Sequence, residues 1–124
     1  MTRKDLYKLV EERLGLIKAT LSAKGTEYAK SENAFHNFEE ATGLSFHTSR
    51  EMVAWEYSVK HLQSIKDILK HVSTDEYNGY PDEAMIREKF GDAIVYFILM
   101  ESMLLEKARE YELKKKYEQN ESSY

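Results

Sequence analysis

The sequence predicts an all-α fold, a helical bundle of about four to five helices that ends in a long C-terminal helix. Apolar residues recur every three or four positions through most of the 124 residues, and only one Pro and five Gly interrupt them. No segment has the alternation that predicts a strand. With 42% apolar residues, residues 1–117 suit one helical domain with its own core, and residues 118–124 suit a frayed tail.

The first helix is predicted from Asp5 to Ala23. Thr2 and Asp5 have the spacing of a capping box, in which each side chain accepts a hydrogen bond from the other residue's backbone N–H. The apolar residues recur at intervals of three and four, as on one face of a helix: Leu6, Leu9, Val10, Leu14 (or Arg13), Ile17 and Leu21.

The segment between Gly25 and Gly43 is predicted to hold a smaller element. Its first half, "KGTEYAKSEN", has no clear period, which suits a loop or a kinked continuation of the first helix. Its second half, "AFHNFEEA", can form a short helix.

A third helix is predicted to begin near Thr48, where Thr48 and Glu51 have capping-box spacing, and to run through Val72. Pro81 then separates it from a fourth helix, which continues to Lys116 or Tyr117. The fourth helix would be roughly 50 Å long, whereas a globule of this size has a radius of gyration of about 14 Å. Its end is therefore expected to project or to dock on another subunit, as in a homo-oligomer that buries part of residues 97–113.

Composition narrows the class of function. The absence of Cys excludes disulfides and thiolate metal sites, which fits a cytoplasmic protein. The first residues do not have the pattern of a signal peptide, and the longest apolar run, Ala93 to Met100, is too short to span a bilayer, so no membrane partner is expected. A net charge of −4 argues against a nucleic-acid partner but leaves room for a small anionic ligand.

The fourth helix is apolar, yet three polar side chains lie on one line of it. Glu88, Asp92 and Tyr96 are four residues apart. Two acids one turn apart can share Mg²⁺, which takes oxygen ligands and keeps waters for phosphate. The same acids can instead favour the positive end of the helix dipole, or pair with basic side chains.

A polar line on the third helix offers a counterpart, in Glu56, Lys60, Gln63 and Asp67, with His61 and Ser64 beside it. These residues can form a solvated face with ion pairs four residues apart. Alternatively, Lys60 and His61 can present positive charge to phosphate oxygens.

The stretch "ENAFHNF" combines Asn33, Phe35, Asn37 and Phe38. Phe residues three apart are typical of a core, and Asn is typical of a surface or a cap. A nucleobase site uses the same groups, an aromatic face to stack on and amides to read the edges. The sequence has no Gly-x-Ser-x-Gly elbow, no phosphate-binding glycine loop and no His-Glu-x-x-His pair, so a serine hydrolase or zinc enzyme is not expected.

Four motifs in residues 20–107 resemble those of a known group of small phage and prophage proteins. They are Lys-x-x-Glu-Tyr-Ala in "KGTEYA", Phe-x-Asn-Phe in "FHNF", Lys-His-x-x-Ser-Ile-x-Asp in "KHLQSIKD", and Glu-x-x-x-Asp-Ala-x-x-Tyr in "EKFGDAIVY". The group resembles the nucleotide-modification-associated domain of phages and, more remotely, the MazG-like all-α nucleoside triphosphate pyrophosphohydrolases.

The resemblance implies a MazG-like, usually oligomeric protein that handles nucleotides, in the host cytoplasm if it is phage-encoded. Glu88, Asp92 and Glu27 would hold Mg²⁺, and Glu27 and Lys60 would be the catalytic residues. The nucleotide would be bound by Asn33, Phe35, Asn37, Phe38, Lys60, His61, Ser64 and Tyr96. The MazG-like Glu-Glu-x-x-Glu cluster is missing, and the late acids are four residues apart rather than three.

Three functions follow from these observations. The leading interpretation is a phage-type nucleotide-binding protein that acts as a Mg²⁺-dependent (deoxy)nucleoside triphosphate pyrophosphohydrolase. The second is a non-catalytic binder, such as a sponge that sequesters a nucleotide signal of host defence, since a binder does not need the missing acids. The third is a structural or interaction protein, which predicts that Glu88 and Asp92 pair with Lys or Arg.

Overall fold

The computed structural model describes residues 1–27, 33–44, 46–74 and 76–121, and for residues 24–27 the backbone alone. Four helices lie in these ranges. They are α1 (Arg3–Glu27), α2 (His36–Ala41), α3 (Arg50–Thr74) and α4 (Glu83–Glu121). The predicted all-α fold with a long C-terminal helix is confirmed, and the described ranges contain no strand. None of the helices in those ranges is long and apolar enough to cross a membrane.

The start of α1 is capped as the sequence predicts. The backbone N–H of Thr2 donates to Asp5 Oδ2 at 2.9 Å, and the N–H of Asp5 donates to Thr2 Oγ1 at 3.1 Å. The end of α1 lies at Glu27, four residues beyond the predicted Ala23. A single Gly inside a helix costs only about 1 kcal/mol relative to Ala, so Gly25 does not end it.

The start of α3 differs from the prediction. The N–H of Met52 donates to Ser49 Oγ at 3.3 Å, so Ser49, not Thr48, caps the helix. The predicted Thr48–Glu51 capping box is therefore wrong, and the Glu51 carboxylate instead pairs with Arg50 and Lys107. The Glu51 side chain, only 15% exposed, reaches Lys107 of α4 instead of capping the start of its own helix.

The structure also defines the first and last residues of α4. Asp82 caps the helix, because its Oδ1 accepts a hydrogen bond from the N–H of Met85 at 2.9 Å. The helix continues to Glu121, so residues 118–121, predicted to fray, are helical. The 39 residues of α4 span about 58 Å at 1.5 Å per residue.

The helices form an open bundle with α4 at its centre. The antiparallel α3 packs along α4, with Arg50 beside Met103 and His61 beside Asp92. On another side, Arg13 of α1 donates to the Arg87 carbonyl at 3.1 Å. Within the described ranges α1 and α3 make no close backbone approach to each other, whereas both contact α4.

The core is small for this chain. Phe35, Ala54 and Met103 are buried together, and Phe38, Leu99 and Met100 pack around them. The accessible surface is 10,014 Å². A compact monomer of 14.6 kDa is expected to expose about 6,900 Å². Much apolar surface that a closed fold would bury is therefore left exposed.

Candidate functional site

Five side chains from three helices meet where α2 covers the α3–α4 pair. We call them the junction cluster, and they are Phe38, Tyr57, His61, Asp92 and Tyr96. The ring of Phe38 lies 6.2 Å from the ring of Tyr57 and 6.2 Å from that of Tyr96, and the rings of His61 and Tyr96 are 5.2 Å apart. These separations are those of interacting aromatic pairs. The junction cluster is therefore a continuous aromatic surface with one carboxylate at its edge.

Helical spacing brings these residues together. Tyr57 and His61 are four apart on α3, and Asp92 and Tyr96 are four apart on α4, so each pair lies on one helix face. The two faces contact each other where α3 packs along α4. The short α2 adds Phe38, whose ring contacts both faces. Four of the five residues were predicted as site residues from the sequence. Tyr57 was missed, although its spacing from His61 places it on the same face.

His61 and Asp92 form a polar contact across the α3–α4 interface. His61 Nδ1 lies 3.7 Å from Asp92 Oδ2, and the two side chains are 19% and 38% exposed. This contact is an ion pair when His61 is protonated. Burial raises the pKa of the neighbouring Tyr96 above its ordinary value, and the negative charge of Asp92 and the nearby Tyr57 add to the rise. Tyr96 is therefore held neutral beside Asp92.

Lys60 directly precedes His61 of the junction cluster on α3. It is exposed, and its ammonium group has no hydrogen-bond or ion-pair partner in the part of the chain that the structure describes. The other polar groups of this line are occupied. Gln63 donates to Asp67 at 2.9 Å, Glu56 lies 3.6 Å from His47, and the Ser64 hydroxyl donates to the Lys60 carbonyl at 3.0 Å.

The "ENAFHNF" stretch divides between structure and site. Asn33 shapes the start of α2, because its Oδ1 accepts from the Phe35 N–H at 3.0 Å and its Nδ2 donates to Glu39 at 2.7 Å. Phe35 lies in the core. Phe38 joins the junction cluster, and Asn37 is exposed one residue before it. Among the described residues 33–38, Asn37 and Phe38 are therefore the ones placed beside the exposed side of the junction cluster.

A second polar group, which the sequence did not reveal, lies at the other end of the α2–α3 contact. We call it the Arg50 clamp. The Arg50 guanidinium donates to Glu39 at 2.8 Å, Glu51 at 3.2 Å and Glu106 at 3.1 Å. It also donates to the Met103 carbonyl at 3.3 Å and lies 4.8 Å from the centre of the Phe35 ring. Burial lowers the pKa of Arg50, but Glu51, Glu39 and Glu106 outweigh it, and the pKa is raised overall.

The acids proposed as Mg²⁺ ligands do not converge in the described residues. Glu88 is exposed, and no described residue pairs with its carboxylate, whereas Asp92 faces His61. No group of three or more His, Asp or Glu side chains in the described ranges is arranged to hold a metal. The side chain of Glu27, the third acid, lies outside the described residues. The described donors therefore do not by themselves fit a Mg²⁺ site built on three protein acids.

The junction cluster is partly open to solvent, because Tyr57 is 41% exposed and the Asp92 side chain 38%. Two open depressions lie elsewhere, one of about 430 Å³ between the start of α1 and Arg87, and one of about 390 Å³ along the distal part of α4. A ligand on the junction cluster would therefore be held by stacking and charge more than by enclosure.

Comparison with known proteins gives no relative from which to read the function. No family model matches the chain, and neither a curated protein nor a solved structure is similar to it. The chemistry of the junction cluster has to follow from its own residues.

Proposed function

We propose that this protein binds a small nucleotide on the junction cluster, with the base against the aromatic surface and the phosphates at Lys60. The observation that carries the proposal is the convergence of four rings beside a cation without a partner in the described chain. Stacking of a base on a protein ring contributes about 1–3 kcal/mol and does not depend strongly on which base is bound. The resemblance to phage nucleotide-handling proteins supports the same ligand class.

The base would stack on the exposed edge of the junction cluster. Tyr57 is 41% exposed, whereas Phe38 and Tyr96 are partly buried beneath it and fix its position. Asn37, exposed next to Phe38, can offer its amide to the edge of a base. Asp92 repels phosphate, so the phosphates are expected on the Lys60 side of His61.

Binding without turnover is the form of this function that the geometry favours. A pyrophosphohydrolase needs several acids around Mg²⁺, whereas Asp92 faces His61 at 3.7 Å and no group of three His, Asp or Glu side chains in the described ranges is arranged to hold a metal. A protein that only sequesters a nucleotide, such as a phage sponge for a host defence signal, needs no such acids.

Hydrolysis of a (deoxy)nucleoside triphosphate to its monophosphate and pyrophosphate is the second candidate. It is favoured by the position of Glu88 and Asp92, which are one turn apart on α4, with Asp92 itself in the junction cluster. Glu27 would complete the acidic set in this candidate, with Lys60 at the phosphates and Mg²⁺ supplying the charge that activates water.

A purely structural role is less well supported. It predicts that Glu88 and Asp92 pair with Lys or Arg, and within the described ranges neither does. We do propose, however, that the protein is a homo-oligomer, because its exposed surface exceeds what is expected of a monomer.

The test is a panel of nucleotides, titrated with and without a chelator and analysed by chromatography after incubation with Mg²⁺. Tight binding that the chelator does not affect, with unchanged nucleotide recovered, supports the binder. Loss of the nucleotide with release of pyrophosphate supports the hydrolase. No binding of any nucleotide at concentrations up to the millimolar range contradicts both.

The stacking surface is tested by Tyr57→Ala, with Tyr117→Ala as the control. Both residues are exposed tyrosines, but Tyr117 lies on the distal part of α4, away from the junction cluster. Loss of one stacked base is expected to weaken binding by about five- to a hundredfold. Equal affinities of the two variants would show that the nucleotide binds elsewhere.

A further inference from the structure

The α3–α4 pair has one covered side and one uncovered side. The Arg50–Glu106 ion pair marks the covered side, where α2 supplies Glu39 and the preceding Phe35 packs beneath the guanidinium. The Glu51 carboxylate reaches from this side to the opposite one, because it pairs with Arg50 at 3.2 Å and with Lys107 at 3.0 Å. No described helix lies over this second side, since α2 is on the first and α1 does not approach α3.

The uncovered side carries an apolar stripe on each helix. On α4, Phe97, Leu104 and Tyr111 recur every seven residues, so they form one line, and Lys107 lies beside it. On α3, Trp55 and Val59 follow Glu51 by one and two turns. All five side chains are more than two-fifths exposed. We call these residues the open seam.

The amount of exposed surface is more than a missing partner would need to cover. The chain exposes 10,014 Å², which is about 3,100 Å² more than the scaling law for compact monomers gives. Obligate homodimers bury about 1,000–2,500 Å² on each chain. Helices that expose an apolar face are stable when a second layer covers that face. The excess over a compact monomer is therefore large enough for such an interface, and another copy of this chain can supply the layer over the open seam.

We propose that a second copy of this chain covers the open seam, with the two α4 helices packed antiparallel about a two-fold axis. Charge decides the orientation. Asp82 and Glu83 lie at the start of α4, and Lys114, Lys115 and Lys116 lie near its end. An antiparallel pair brings each acidic start to the partner's lysine triplet, which lies between Glu112 and Glu118, whereas a parallel pair would place triplet against triplet. The interface is isologous, so each contact occurs twice. This proposal does not depend on the nucleotide.

Leu104→Glu and Leu113→Glu form a matched pair that tests the open seam. Both leucines are on α4 and are 59% exposed. They are nine residues apart, about two and a half turns, so they point in opposite directions. Light scattering should give a dimer for the wild type and for Leu113→Glu. Leu104→Glu should dissociate about a hundredfold or more readily, since a charge replaces an apolar contact at two equivalent places.

Circular dichroism of each variant shows whether it keeps its helices. A monomeric wild type at every concentration, or equal dissociation of the two variants, overturns the proposal. If Leu104→Glu loses its helices, cross-linking of otherwise unaltered chains decides the question, because the sequence has no Cys and an introduced thiol is unique.

The orientation is tested with Ile86→Cys and Tyr111→Cys, placed near opposite ends of α4. The antiparallel arrangement predicts that a short thiol cross-linker joins the two variants when they are mixed, and that it joins neither variant to itself. Self-linking of each variant overturns the antiparallel arrangement, and the absence of any cross-link overturns the open seam as the interface.

Discussion

The Arg50 clamp and the junction cluster both lie where α2, α3 and α4 meet, and each has a basic residue in or beside it. The two basic residues differ in whether their charge is already paired. Arg50 has a side chain only 11% exposed, and its donors meet three carboxylates and one carbonyl. Lys60 is exposed, and no group in the described chain pairs with it. Polar groups that are already satisfied hold a fold together, whereas a cation left beside an aromatic surface is available to a ligand.

The largest loss of stability is expected from a substitution in the Arg50 clamp. Arg50→Ala removes the donors that join α2, α3 and α4, and it leaves Glu51, which is mostly buried, without one of its partners. We expect the free energy of unfolding to fall by about 2–4 kcal/mol. Urea denaturation of the two proteins measures this difference.

Arg109→Ala is the control for that experiment. Arg109 is exposed, and no described residue pairs with it, so its replacement should change stability by less than about 0.5 kcal/mol. Similar losses for the two variants would mean that the Arg50 clamp contributes no more than an ordinary surface charge, and the contrast with Lys60 would disappear.

The next effect is expected in binding rather than in folding. Lys60→Ala should weaken nucleotide affinity by about ten- to a hundredfold, because one charge-assisted contact with phosphate is lost. The free energy of unfolding of this variant should equal that of the wild type, since the Lys60 ammonium makes no contact in the described chain. Titration with the tightest nucleotide of the panel provides the measurement.

Lys66→Ala is the matched control, because Lys66 is also exposed on α3 and has no partner among the described residues. It changes the net charge of the protein by the same amount, so a general electrostatic effect would appear in both variants. Equal affinities of Lys60→Ala and Lys66→Ala would remove Lys60 from the proposed site.

Sequence periodicity predicted what depends on neighbours along one helix. The alignment of Asp92 with Tyr96, the helix faces and the Thr2–Asp5 capping box all depend on residues three or four apart. The Arg50 clamp could not be predicted in this way, since Glu106 lies 56 residues from Arg50 and depends on how three helices meet. The same limit applies to Phe35 and Phe38, which are three residues apart. Phe35 is buried in the core, whereas Phe38 packs at the edge of the core and also joins the junction cluster.

A smaller effect is expected from Asp92→Asn. The His61–Asp92 contact is 3.7 Å long and the carboxylate is 38% exposed, so stability should change by less than about 1 kcal/mol. If the protein only binds, nucleotide affinity without metal should stay the same or rise slightly, because one negative charge near the phosphates is gone. If it is a hydrolase, turnover should be lost. A variant that keeps full turnover would exclude Asp92 as a metal ligand.

The smallest effect concerns the ionisation of Tyr96. Burial first, and then Asp92 and Tyr57, raise its pKa in the folded protein above the ordinary value of 10.0. Below pH 10 the hydroxyl is neutral in both the folded and the unfolded chain, so its contribution to stability is fully present. As the pH rises through the raised pKa, the unfolded chain loses this proton more readily than the folded chain, and the contribution is lost.

Tyr96→Phe cannot ionise, so its stability should fall less steeply above pH 10 than that of the wild type, while the two should nearly agree at pH 8. The other tyrosines and the lysines titrate in both proteins, and the difference between the two curves isolates Tyr96. Urea midpoints measured at several pH values provide the comparison. Parallel curves would mean that Tyr96 is as well solvated in the folded protein as in the unfolded chain. The junction cluster would then lack the buried tyrosine ring that distinguishes it from an ordinary helix surface.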